Sequence, residues 1–167
     1  MRRRARLRER RSAHAGLYES RSIRKDVGNG LCALLQPLAA KTLEKGEGLV
    51  KGPCAILCGG ETVVHLTGKG KGGRNQELAL AAAPYLEGMK NALVAAVGSD
   101  GTDGPTDAAG GMVDGSTMAA LRKAGLSVDA VLAENDAYHA LKAVDSLIFT
   151  GPTGTNVNDL YFLLFRP

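Results

Sequence analysis

CAILCGGETVVHLTGKGKGGRNQELALAAA, residues 54–83, carries the pattern from which the architecture follows. Cys54-Ala-Ile-Leu-Cys58 is a short apolar run of the kind a buried strand makes, and Gly59-Gly60 is the turn after it. The β-branched run 61–67 is expected to pair back as a hairpin partner. A glycine-rich loop, 68–73, comes next. Asn75–Ala83 is then a strong helix former, which Pro84 kinks or ends. The alternation continues downstream. Ala92–Val97 reads as a buried strand and 98–111 as a long loop of Gly and Asp. A helix is expected over 116–124, with Ser116 as N-cap, Arg122 and Lys123 suiting its C-terminal dipole, and Gly125 at C′. Two shorter helices are expected near 128–134 and 136–144. A strand over 146–150, a third polar loop over 151–159 and a strand over 160–165 close the pattern. The last strand is apolar on both faces and is therefore central or covered. Strands alternating with helices predict an α/β layered domain with a mixed, mainly parallel β-sheet flanked by helices.

Upstream, residues 26–46 place Val27, Leu31, Leu34, Leu35, Leu38 and Leu43 roughly on one helical face, with Pro37 splitting or kinking it. The division expected is a basic, unstructured or frayed head over 1–25, a helical segment and linker over 26–52, and the α/β domain over 53–167. The formal charge of +4 is unevenly spread. Residues 1–25 hold ten Arg and Lys against Glu9 and Glu19, so the rest of the chain is mildly acidic. A nucleic-acid role would rest on the head alone, and the acidic domain argues against it. No apolar run approaches the ~20 residues of a membrane span, and no apolar core follows the basic head as in a secretory signal. The expected location is cytoplasmic. Cys32, Cys54 and Cys58 give no disulfide framework. Cys54 and Cys58 share one strand face, as buried small hydrophobes would, and a zinc site would want more ligands.

Three loops could carry chemistry. In Gly68-Lys-Gly-Lys-Gly-Gly-Arg-Asn-Gln-Glu77, glycines free backbone N–H groups, a helix begins alongside, and Lys69, Lys71 and Arg74 add positive charge. That is a recipe for holding an anion, although no Gly-Lys-Ser/Thr closes it as in a P-loop. A solvated basic turn is the bland alternative. In Ser99-Asp-Gly-Thr-Asp-Gly-Pro-Thr-Asp107, Asp100, Asp103 and Asp107 could hold Mg²⁺ or could bond their own backbone in Asx-turns. In Gly151-Pro-Thr-Gly-Thr-Asn-Val-Asn-Asp159, Thr153, Thr155, Asn156 and Asn158 could orient a hydroxyl-rich substrate or satisfy their own turn. His65, mid-strand, and His139, mid-helix, read as structural. No Gly-x-Ser-x-Gly elbow exists, which argues against a serine hydrolase.

Gly59-Gly-Glu-Thr62, Gly70-Lys-Gly-Gly-Arg-Asn-Gln-Glu-Leu78, Gly101-Thr-Asp-Gly-Pro-Thr-Asp-Ala-Ala109, Asn135-Asp136 and Gly151-Pro-Thr-Gly-Thr-Asn-Val-Asn158 occur in one order and spacing. In these the chain resembles the C-terminal, MOFRL-type domain of the glycerate 2-kinase family, whose members are often labelled hydroxypyruvate reductase. The resemblance covers about residues 53–165. It implies ATP- and Mg²⁺-dependent phosphorylation of D-glycerate at the 2-hydroxyl, in a cleft between two α/β domains. The larger N-terminal domain, with a Lys thought to act at the phosphates, has no counterpart in this sequence and becomes the expected partner. Arg74 matches the motif arginine expected to stabilise the transferred phosphoryl group. Gly72, Gly73, Asn75 and Glu77 match neighbours that shape the phosphate site. Asp100, Thr102 and Asp103, with Thr153, Gly154, Thr155 and Asn156, match polar loops facing the cleft; of these, Asp100 and Asp103 are the candidate metal ligands, with Asx-turns as the alternative.

Two functional classes follow. One is a kinase domain inactive without its partner domain. The other is a stand-alone binding module for a phosphorylated or sugar-acid metabolite. An oxidoreductase, which the older label invites, is not favoured because the 68–73 loop is not read as a dinucleotide fingerprint. The edge left by the missing domain could also drive self-association.

Overall fold

The computed structural model describes residues 40–42, 44–46 and 53–166. The basic head and most of the expected helical segment lie outside these residues. Among the described residues five strands make one sheet: β1 (Cys54–Gly60), β2 (Ala92–Gly98), β3 (Gly110–Asp114), β4 (Leu147–Ile148) and β5 (Asp159–Phe165). Four helices intervene: α1 (Arg74–Leu86), α2 (Thr117–Lys123), α3 (Val128–Ala133) and α4 (Ala137–Ala143). The strand order is β1-β5-β2-β3-β4, and every neighbouring pair is antiparallel.

This corrects the expected mainly parallel sheet. The β-α-β alternation is real, since α1 carries the chain from β1 to β2. Those two strands run the same way but are not neighbours, because β5 inserts between them antiparallel to both. Residues 61–67 form no strand, so the expected hairpin is absent, and β1 takes β5 as its partner over the register Cys54↔Phe165 to Gly60↔Asp159. The expected strand at 146–150 shrinks to two residues.

The core lies on one side of the sheet. Tyr161, Leu163 and Phe165 of β5, Val94 and Ala96 of β2 and Val113 of β3 are buried there. The central helix α1 packs on β2 and β3, and its flank carries α2, α3 and α4. Leu78, Leu80 and Leu86 are fully buried, each worth about 2 kcal/mol of transfer free energy. Pro84 sits inside α1 instead of ending it, and Leu86 closes the last turn in the core. Cys54 and Cys58 do share a strand face, but β1 is an edge strand. Cys58 is accordingly exposed and Cys54 half-buried, not the buried pair expected.

The three short helices stop in one way. Leu126 N–H donates to Leu121 O and Gly125 N–H to Arg122 O, with Gly125 at φ 73°, the C′ position expected of it. Asn135 (φ 54°) and Asp145 (φ 53°) close α3 and α4 with the same paired bonds. Ser116 stands at the N-cap of α2 without capping it, its hydroxyl donating to Asp114 Oδ1 at 2.7 Å.

Candidate functional site

The three loops meet at one end of the sheet, where β1 and β2 end, β5 begins and α1 starts. The first loop lies against the α3–α4 junction. Asn135 Oδ1 accepts the N–H groups of Thr67 (2.7 Å) and Gly68 (2.8 Å), and Asn135 Nδ2 donates to Glu77 Oε1 at 2.7 Å. Gly70 N–H donates to Glu134 O at 2.7 Å, and Lys71 N–H to Asp136 Oδ1 at 2.9 Å. A Cβ on Gly68 would stand 2.2 Å from Glu134 Cα, so part of the loop's glycine content serves close approach to its own chain. Lys71 Nζ lies 4.4 Å from the Tyr138 ring centroid, a cation–π contact.

Asp103 binds the first loop to the second. Its Oδ1 accepts Asn75 N–H at 3.1 Å and Asn75 Nδ2 at 3.2 Å, and its Oδ2 accepts Gln76 N–H at 2.9 Å. The positive end of α1 is thus met by a carboxylate of the chain itself. Burial raises the Asp103 pKa, against the donated hydrogen bonds that lower it. At Gly73 a Cβ would lie 2.3 Å from Asp103 Cγ, so a larger residue there would have to push the carboxylate off the start of α1.

Arg74 opens α1. Its Nε donates to Asp159 Oδ2 at 2.6 Å and its Nη2 to Asp159 Oδ1 at 3.0 Å, a two-toothed pair. Asp159 is fully buried at the start of β5, and also accepts Asn75 Nδ2 at 3.0 Å and Tyr161 O–H at 3.3 Å. The hydrogen bond to Asp159 raises the Arg74 pKa, with smaller contributions from the charges of Asp159, Glu61 and Asp103 against a desolvation penalty. Nη1 lies 3.3 Å from Glu61 Oε1, whose side chain is 61% exposed and so can be displaced. The guanidinium therefore has one face held and another available. It lines a cleft of about 490 Å³ with Gly72, Gly73, Lys69, Leu66 and Pro105. The N–H groups of Gly72, Gly73 and Arg74 have no partner among the described residues.

The third loop docks on the second. Ser99 Oγ accepts Val157 N–H at 2.7 Å, Ser99 N–H donates to Asn158 O at 3.1 Å, and Thr153 Oγ1 donates to Ser99 O. Thr153 N–H donates to Asp100 O at 3.2 Å. Thr155 N–H and Asn158 N–H bond Thr153 Oγ1 and Asn156 Oδ1 within the loop, whereas Thr102 and Gly154 are exposed. Asp100 Oδ1 accepts Thr102 N–H at 3.0 Å in an Asx-turn, and that bond lowers its pKa. Tyr138 O–H donates to Asp107 at 2.7 Å and lowers the Asp107 pKa.

These contacts decide between the two readings of the acidic loop. Asp103 is 3% exposed with both oxygens taken, Asp100 closes a local Asx-turn, Asp107 is held by Tyr138 of α4, and the described residues contain no group of three or more His, Cys, Asp or Glu able to hold a metal. The expected Asp100–Asp103 magnesium pair does not fit this geometry. Gly68, Gly70 and Gly73 do have dinucleotide-fingerprint spacing, contrary to the reading above, but no strand precedes them, so the required strand-turn-helix context is missing. Asp159 is not singled out from sequence, and Asn135 is named there only within the Asn135-Asp136 motif, with no role of its own. A lone acid opening an apolar strand is the signal for the first. An Asn at C′ between two helices is the signal for the second.

An antiparallel sheet flanked by helices, with three interlocked loops and a clamped arginine at one end, defines an α/β domain. The chain belongs to the MOFRL family, which it matches over residues 54–159. It is 59% identical over 111 residues to the D-glycerate 2-kinase of Thermotoga maritima, covering 66% of this chain and 27% of that protein. It is 49% identical over 137 residues to a glycerate 2-kinase of Pyrococcus horikoshii, covering 81% of this chain and 30% of that protein. The crystal structure of the Thermotoga maritima glycerate kinase is similar with a TM-score of 0.80 and 48% identity, over 83% of this chain and 33% of that one. The chain thus spans about a third or less of the length of these relatives.

Proposed function

We propose that this chain supplies one wall of a glycerate 2-kinase active site, where the terminal phosphoryl group of ATP passes to the 2-hydroxyl of D-glycerate. The observation that carries the reading is the Arg74–Asp159 pair. It fixes a guanidinium at the mouth of the cleft with its outer donors turned toward Glu61 and the unpartnered N–H groups of Gly72 and Gly73. A phosphoryl group entering there displaces the exposed Glu61 carboxylate and meets donors already in place. Such positioning and charge stabilisation dominate phosphoryl transfer. Lys69 adds a second cation to the cleft wall. No step is routed through a metal held by Asp100 and Asp103, and the remaining catalytic groups come from the larger domain, the partner this reading requires.

Mixing this chain with the N-terminal two thirds of the Thermotoga maritima relative should give ATP-dependent formation of phosphoglycerate. Arg74→Ala should lower kcat about 10³-fold, the usual loss for removing such a donor. Arg74→Lys should recover only part of it, because an ammonium cannot hold the two-toothed geometry. A folded, associated pair with no phosphoglycerate formed would overturn the proposal. Tight calorimetric binding of phosphoglycerate by this chain alone would favour the stand-alone module.

A further inference from the structure

The cleft beside Arg74 has a lining that a phosphoryl group does not explain. Lys69, Arg74 and the N–H groups of Gly72 and Gly73 make one part of it, cationic and rich in donors. Val63, Val64 and Leu66, joined by Pro105 of the second loop, make another part, and it carries no charge. Val63 is 56% exposed and Leu66 82%, so neither belongs to the core. The three come from residues 61–67, the run expected from composition to be a strand. It borders the cleft as a strap held near both ends. Thr62 is buried, and its Oγ1 accepts Tyr161 O–H at 3.4 Å. Thr67 Oγ1 donates to Ala133 O at 2.9 Å, and Asn135 Nδ2 donates to His65 O at 3.2 Å. The backbone N–H and C=O groups of Val63, Val64 and Leu66 have no partner among the described residues. Exposed apolar side chains on a peptide edge with open donors and acceptors suit a flat ring with a polar rim. D-glycerate, three carbons each bearing oxygen, has no apolar surface to set against them. The volume, about 490 Å³, lies in the range of pockets that enclose drug-sized ligands.

We propose that Val63, Val64 and Leu66 of this strap, with Pro105, seat the nucleoside of ATP, and that the triphosphate leads from there to Arg74 and the N–H groups of Gly72 and Gly73. The two linings together single out the occupant. A ligand that is polyanionic at one end and a flat, largely apolar ring at the other matches both at once, whereas a bare phosphate or a sugar acid matches only the first. A base laid over Val63 and Leu66 takes their exposed surface out of water, and that gain separates ATP from an inorganic polyphosphate. The seat presupposes that ATP enters this cleft, as in the function proposed above, and is independent of glycerate and of the transfer step.

The test is two-dimensional NMR of this chain, with labelled Val and Leu methyls, titrated with ATP and separately with inorganic tripolyphosphate. Both ligands should shift the amides of Gly72 and Gly73. Only ATP should shift the methyls of Val63 and Leu66, and it should bind several-fold more tightly. Leu66→Ser changes an exposed side chain, so it should keep the parent's circular dichroism. It should weaken ATP about five-fold and leave tripolyphosphate unchanged. Equal affinity for the two ligands, or no methyl shift with ATP, would overturn the seat. Leu66 methyl shifts that follow protein concentration without ATP would also overturn it, and would give the strap to a second copy. Methyl shifts with ATP while tripolyphosphate leaves Gly72 and Gly73 unmoved would keep the nucleoside seat and sink the phosphate reading of Arg74.

Discussion

Asp159 has no solvent-exposed surface, yet four donors converge on it: Arg74 Nε and Nη2, Asn75 Nδ2 and Tyr161 O–H. A buried carboxylate survives only when so satisfied. Asp159→Asn keeps the volume but replaces one accepting oxygen with a donor that faces Arg74 or Asn75. The partner guanidinium is 38% exposed, so solvent screens part of the loss. We expect about 1–3 kcal/mol lower stability in urea unfolding. The Arg74 Nε–H resonance should be protected from exchange in the parent and not in the variant. Equal protection in both would show that the pair does not fix the arginine. Arg74 is legible in the sequence because it stands in a long motif at a helix start. Asp159 is not, because its partner lies 85 residues earlier and an acid after a polar loop looks like one more loop residue. Asp103 misleads for a related reason. Three Asp in a glycine loop look alike in sequence, and only the folded chain separates Asp103, buried at the start of a distant helix, from Asp100, which turns locally, and Asp107, which meets Tyr138 of α4.

Among the elements, the α3–α4 junction does more than connect. Asn135 takes the left-handed conformation that ends α3, and its side chain then holds the start of the glycine loop and Glu77 of α1. Asn135→Gly keeps the backbone conformation and removes only the side chain. Its expected cost is about 2 kcal/mol, from buried or half-buried donors left unpaired. Amide exchange of Thr67 and Gly68 should quicken while that of β2 and β3 stays slow. Uniform quickening across the domain would show that the asparagine serves global stability and not the loop. The three short helices are legible to within a residue, because periodicity and Gly125 are local signals, whereas α1 runs through Pro84 to Leu86, three residues beyond the expected Ala83. Residues 61–67 are not, because β-branched composition describes a strand without naming its partner, and β1 finds a better one in β5.

At the scale of the molecule, strand direction is the feature that local patterns leave open. Alternating strands and helices ordinarily imply parallel neighbours, but the position of β5 between β1 and β2 depends on pairings more than 60 residues apart. Its apolarity on both faces did mark it as interior. Removing residues 159–167 takes out the shared neighbour of β1 and β2 and the Asp159 anchor together. That chain should give neither a cooperative thermal transition nor dispersed amide resonances. A truncated chain that melts cooperatively would refute the keystone role of β5.

The same topology sets a timetable. Of the five strands, β5 leaves the ribosome last, and until it does β1 has no partner and Arg74 no counter-ion. The hairpin of β2 with β3, and α1 beside it, can form early, but the apolar residues of β1 must wait through roughly a hundred residues of synthesis. At ordinary elongation speeds that is about 5–20 s in which an unpaired strand edge is open to capture by other nascent chains. Chaperone dependence during synthesis, more than instability of the finished domain, is the cost this arrangement carries.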